Sequence, residues 1–192
     1  MNRICAFGVL VAASTILSAC TPAVVDTPTP TPVVTLQCHG EFTDETHVCD
    51  QAEYDAMTAR DAQYEEAEAT YRRVVQLLYD LLGSRQGMSE EFRSLVTGPF
   101  AADVEKTLEA GQTSDITYLG QPEIKWVTRA RVSDLGSTLA LEVCTAPGSL
   151  VLTKGSQSAP APSIREQVFF TKVDNRLRVV SNRAGVADTC DQ

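Results

Sequence analysis

Histidine and tryptophan are almost missing from this chain, with two of the first and one of the second in 192 residues. Both histidines, His39 and His47, lie beside the cysteines at 38 and 49, so the chain from residue 50 onward has no imidazole for acid–base work. Any proton transfer there would fall to carboxylates or tyrosines. Positive charge is also scarce, with 16 Lys and Arg against 25 Asp and Glu, a net charge of −9, and no basic arm. That balance argues against nucleic acid, or an anionic lipid surface, as the principal partner. The chain has no G-x-S-x-G, H-E-x-x-H, P-loop or G-x-G-x-x-G, and no S-x-x-K or K-T-G. Hydrolase, zinc-protease, nucleotide-binding and penicillin-binding chemistries are set aside with them, and no cofactor or resident metal is expected. The chain is also too short for a two-lobed solute-binding protein.

What is present begins with an address. Arg3 precedes the apolar run Ile4 to Ala19, which is shorter than the about 20 residues a membrane-spanning helix requires and fits a secretory signal. The run ends in Leu17-Ser18-Ala19-Cys20. This is a large aliphatic residue, two small ones and a nucleophilic sulfur, the pattern by which bacterial lipoproteins are cut and acylated. Residues 1–19 are expected to be removed and Cys20 to carry diacylglycerol and an amide-linked acyl chain such as palmitate. Two or three acyl chains at about 0.8 kcal/mol per CH₂ suffice for lasting attachment. The expected location is the extracytoplasmic side of the cell membrane. An ordinary signal peptide with a chance cysteine is the plainer alternative.

Residues 20–37 read as a Thr/Pro-rich linker, because prolines alternating with threonines block helix and sheet and keep a chain extended. The linker serves as a spacer, with or without sugars on its threonines. Residues 38–192 are then a single domain. Its charge is uneven: residues 41–82 hold eleven carboxylates against Arg60, Arg72 and Arg73, whereas residues 122–183 hold nine bases against five acids. A solvated helix face is the ordinary cause of such an acidic run. With Cys5 in the signal and Cys20 acylated, Cys38, Cys49, Cys144 and Cys190 remain, and exported thiols in an even number suggest two disulfides. Three connectivities are formally open. The preferred one joins Cys38 to Cys49 around a short polar loop, and Cys144 to Cys190 between a strand and the C-terminal tail. The Cys38–Cys49 loop with His39 and His47 offers four zinc ligands on paper, but at a spacing that resembles no common structural site.

Asp50-Gln51-Ala52-Glu53 resembles a capping box, so a helix is expected from there to Gly83, with Tyr64, Ala67, Tyr71, Val74, Leu78 and Leu81 on one stripe. Its alanine-rich, acidic first half has no large apolar anchors and is expected to project beyond the core. Ser89 caps a second helix through Phe92 and Leu95, and Pro99 opens a third that ends at Gly111. Beyond it the period becomes two. Ile116–Leu119 is a short first strand; Ile124, Trp126 and Val132 alternate with Lys125, Arg129 and Arg131; then come Leu139–Val143 and Leu150–Leu152. A loop over Gly155–Ser163 leads to Ile164–Lys172 and a tight Asp174-Asn175 hairpin. Helices first and antiparallel strands afterwards is an α+β order, with a long helix and a helical pair on a sheet of four to six strands.

The long helix ending in Val74-Val75-Gln76-Leu77-Leu78, Gly120 before the Trp126 strand, Cys144 at a strand end, the Val168-Phe169-Phe170 to Leu177-Arg178-Val179-Val180 hairpin and the terminal Cys190 together resemble the nuclear transport factor 2-like superfamily. More specifically, residues 50–190 are similar to lipoproteins of this type from actinobacteria. The resemblance implies a cone-shaped α+β domain with a curved sheet. Members include isomerases, dehydratases and non-catalytic modules, so fold alone assigns no activity. Enzymes of the superfamily keep acid or base residues inside the cone, which makes Glu142, Glu166, Tyr118, Trp126 and Arg129 or Arg178 the residues to place. Glu142, on the strand face opposite to Leu141 and Val143, is expected to be solvated and paired with an arginine. The expected function is a non-enzymatic envelope module that is held by its lipid and binds a protein, a cell-wall component or a small ligand. The alternative is a small lyase or isomerase using a pocket carboxylate.

Overall fold

The computed structural model describes residues 35–191 apart from residue 135, so the signal segment, Cys20 and most of the linker lie outside the described residues. Thr35–Gln192 is one compact unit. It opens with a hairpin, β1 (Leu36–His39) and β2 (Thr46–Cys49), followed by α1 (Gln51–Ser84), α2 (Glu90–Leu95) and α3 (Gly98–Thr113). Strands β3 (Ile116–Leu119), β4 (Glu123–Ala130), β5 (Leu139–Ala146), β6 (Val151–Lys154), β7 (Gln157–Pro160), β8 (Ser163–Val173) and β9 (Arg176–Ala187) complete it. The protein is α+β. The main sheet is antiparallel in the order β4-β5-β8-β9, and a smaller one runs β3-β6-β7. Among the described residues no helix is long and apolar enough to cross a membrane.

Asp50 starts α1 by accepting from the Glu53 backbone N–H at 2.9 Å. The return half of the capping box is absent, since the Glu53 carboxylate is taken by His47 Nε2 at 2.7 Å. At about 1.5 Å per residue, the 34 residues of α1 span roughly 50 Å. Its core stripe holds Tyr64, Ala67, Tyr71, Val74, Leu81 and Leu82, all in its second half and middle. The first turns do not stand bare. What was expected as a polar loop is the β1–β2 hairpin, which lies along them with Cys38 buried and the His39 N–H directed at Met57 Sδ, 3.2 Å away.

Gly83 does not end α1. The helix runs on to Ser84, and Arg85 takes the left-handed position at φ 55°. Gly83 has a different use, because a Cβ there would lie 3.1 Å from the Tyr118 carbonyl oxygen, so its bareness lets β3 approach α1. Likewise α3 continues past Gly111 to Thr113, and a Cβ at Gly111 would sit 3.4 Å from Leu82. Ser89 caps α2 through the Phe92 N–H at 3.1 Å, and Pro99 lies in the first turn of α3. Phe92, Phe100, Val104 and Leu108 close over Leu139, Leu141 and Val143 of β5, Val168 and Phe170 of β8, and Leu177 and Val179 of β9.

Two one-residue bulges decide which side chains face the helices. In β4, Ile124 pairs with Thr145 and Trp126 with Cys144, so the extra residue Lys125 puts Ile124 and Trp126 on opposite faces rather than the expected common one. In β9, Phe169 pairs with Ser181 and Phe170 with Val179, so the extra Val180 turns Asn182 toward the helices. Val132 lies beyond β4 and is exposed. The expected loop over residues 155–163 contains β7, an all-exposed edge strand paired with β6.

Both disulfides are formed, Cys38–Cys49 and Cys144–Cys190. The second lies on the sheet face away from the helices, where the C-terminal tail crosses it and the Trp126 indole donates to the Cys190 carbonyl at 2.8 Å.

Candidate functional site

Between α1, α3 and the two sheets lies a cavity of about 330 Å³. That is the lower end of the ~300–1,000 Å³ range of small-ligand pockets. Val74, Val75 and Leu78 of α1 form one apolar wall, Phe100 and Val104 of α3 a second, and Leu150, Leu152 and Ile164 a third. Polar groups gather at one place. Glu166 is directly opposite Val143 and shares the parity of Ile164 and Val168, so the period of β8 aims its carboxylate at the helices. Tyr71 donates its hydroxyl to Glu166 Oε1, and Asn182 Nδ2 donates to Oε2 at 2.8 Å. The carboxylate is thus held from α1 and β9 together.

Tyr71 is 3% exposed, and its pKa is pushed well above 10.0, first by burial and then by the Glu166 charge and hydrogen bond. Tyr79, half-buried about two turns further along α1, moves the same way through burial, Glu166 and Tyr118 in that order. Thr145 stands beside Tyr71 and eases its ionisation. Yet the Thr145 hydroxyl is buried and makes no hydrogen bond of good geometry. A buried hydroxyl without an aligned partner is uncommon in a folded protein, which marks this one as open to a ligand. Asp103 and Thr107 form a rim on α3, and the Tyr79 and Tyr118 rings sit 6.5 Å apart on the β3 side.

Of the residues singled out in the sequence, Tyr118 and Glu166 line this cavity, whereas Trp126, Glu142, Arg129 and Arg178 lie elsewhere. Trp126 is on the outer face with the Arg165 guanidinium 5.4 Å from its ring centroid. Glu142 is also outside, paired with Arg165 at 2.6 Å as its alternation suggested. Arg178 pairs loosely with Asp174 at 3.4 Å. Tyr71, Thr145 and Asn182 were missed. Tyr71 reads as one more member of the core stripe, and Asn182 is reoriented by a bulge without a sequence signature.

Arg129 belongs to a second polar cluster that fastens the N-terminal hairpin. Its guanidinium meets Asp61 at 2.9 Å and lies 4.6 Å from the Tyr64 ring centroid, while His39 Nε2 holds the other Asp61 oxygen at 3.0 Å. Tyr64 donates to Glu41 at 2.8 Å, and burial together with that acceptor pushes its pKa up to about 12. Cys38, Cys49 and Glu53 converge within metal-ligand range, but the two sulfurs are bonded to each other and offer no thiolate.

No family model matches the chain. No curated protein matches it either. A solved structure from Catenulispora acidiphila aligns at a TM-score of 0.45 and 12% identity, covering 67% of this chain and 94% of that one. A likeness that loose carries no argument about function.

Proposed function

We propose that this chain is a lipid-anchored envelope protein, tethered through Cys20 outside the cell membrane, whose α+β domain is a small-ligand-binding module of nuclear transport factor 2-like type. The observation that supports it best is the cavity, with apolar walls on three sides and Tyr71, Glu166, Asn182 and Thr145 converging at one place. The two disulfides fit an oxidising compartment. Apolar walls supply affinity without direction, and a few placed polar groups supply orientation.

A lyase or isomerase is the second reading, favoured by one observation, the carboxylate inside the cavity. Glu166 would then take a proton from a carbon acid. Tyr71 and Asn182 hold the Glu166 carboxylate in place with one donor on each oxygen, and no histidine is among the described cavity residues to relay a proton, so binding is the better reading. Two measurements test the proposal. Cys20→Ala should release the protein or leave it unprocessed; retention in the membrane at the mature mass removes the anchor from the reading. Native mass spectrometry of protein gently extracted from membranes should find a small molecule that is lost in Val104→Phe, which fills the cavity. Neither protein carrying mass beyond its own lipidated chain, together with no gain of thermal stability from any small apolar probe, removes the module.

A further inference from the structure

The cavity is one-sided in charge. Asp103 and Glu166 are its acidic residues, and none of the described residues lining it is Lys, Arg or His. Aromatic rings from Phe100, Tyr71, Tyr79 and Tyr118 present themselves to the same space. The field of Glu166 reaches two places along α1, since its charge opposes the ionisation of both Tyr71 and Tyr79. An anion entering here would meet a carboxylate and find no cation. A cation would meet the carboxylate and the electron-rich faces of the rings.

Hydrogen-bonding capacity agrees. A carboxylate offers about four lone-pair positions. Tyr71 and Asn182 take one on each oxygen, so each oxygen can still accept from a ligand. The Thr145 hydroxyl is an independent sign, because Thr145 is 7% exposed and its hydroxyl has no hydrogen-bond partner. It lies on the cavity side of β5, two residues along from Val143, which is paired with Glu166. A ligand with several donors on one atom can serve Glu166 and Thr145 together.

We propose that the cavity takes a small amphiphilic amine, with its protonated nitrogen held by Glu166 and Thr145 among the tyrosine rings and its apolar body along Val74, Leu78, Val104 and Leu152. This deepens the proposed function by giving its ligand a class, and it rests on the cavity being a binding site. An aliphatic ammonium, with a free pKa near that of lysine at about 10, is charged at neutral pH. Its three N–H donors match the acceptors left open.

The test uses three probes of one shape, 4-phenylbutylamine, 4-phenylbutanol and 4-phenylbutyrate. Each is titrated calorimetrically at neutral pH into the full chain in lipid nanodiscs, with empty nanodiscs as reference. The amine should bind at least about tenfold more tightly than the butyrate, since a charge-assisted contact to Glu166 is gained in one and a repulsion met in the other. Glu166→Gln should weaken the amine about tenfold or more and change the alcohol by less than about threefold. Thr145→Val, nearly equal in volume, should weaken the amine severalfold with unchanged thermal stability, and it keeps the test open if Glu166→Gln folds poorly. Butyrate binding as tightly as the amine, or an amine affinity indifferent to both substitutions, overturns the ligand class while alcohol binding that is lost in Val104→Phe still upholds the pocket. Silence from all three probes overturns both.

Discussion

Removing the Cys144–Cys190 bond is a direct way to ask what the C-terminal tail contributes. The perturbation is the double variant Cys144→Ala/Cys190→Ser, which leaves no free thiol to mispair and little volume lost at the buried Cys144. The bond closes a 46-residue separation. On the chain-entropy account such a loop withdraws about 4 kcal/mol from the unfolded state, against about 3 for the 11-residue Cys38–Cys49 loop. With a urea m-value of about 2 kcal/mol/M, ordinary for a domain of this size, the midpoint should fall by about 2 M. The assay is built in, because Trp126 is the only tryptophan and its indole is bonded to the Cys190 carbonyl. Its emission should shift to the red in the native variant as the tail lifts, before any unfolding. A midpoint within about 0.3 M of the parent, under conditions where the parent bond is intact, would refute the entropic reasoning. An unshifted native spectrum would instead show that the tail is held by its other contacts.

Three other outcomes are expected. Tyr71→Phe keeps the buried ring but takes one donor from Glu166, and should cost about 1–2 kcal/mol in urea melts. Gly120→Ala should cost about 2 kcal/mol or more, because φ there is 86° and the new Cβ would lie 2.2 Å from the Ser149 carbonyl oxygen; an unchanged midpoint would mean that the β3–β4 turn is not held as described. The folded pKa of Tyr64 is raised from 10.0 to about 12, so its share of stability is fully present below pH 10 and is lost as pH climbs toward 12. Tyr71 and Tyr79 act in the same direction. Tyrosinate absorbance in the folded protein should therefore lag behind that in denaturant, and Tyr64→Phe should shrink the alkaline loss of stability.

Much of the fold could be read from residue patterns because the elements that make the core obey their own periods. The stripe from Tyr64 to Leu81 and the alternation of Leu139, Leu141 and Val143 each bury one face, and burial of one face is what periodicity records. β7 escaped notice for the opposite reason. All four of its residues are exposed, so its pairing with β6 is a backbone matter with no apolar alternation to betray it. In the cavity, Glu166 stood in the sequence only as a candidate beside Glu142, although Ile164, Val168 and Phe170 share its parity and carry it inward. Its partner Asn182 and the outward turn of Trp126 were not. Each depends on a single inserted residue, Val180 or Lys125, which reverses every side chain after it while leaving composition and pattern unremarkable.

The β1–β2 hairpin has a mechanical consequence. A pull on the chain ahead of Thr35 runs lengthwise down β1 and reaches Cys38 within a few residues. From there the sulfur bridge hands it to Cys49, and Asp50 passes it into the long axis of α1, so residues 39–48 carry none of the load. On the proposed anchoring, such a joint loads the first turns of α1 in shear, ahead of the cavity-lining residues that begin at Tyr71, rather than peeling strand from strand.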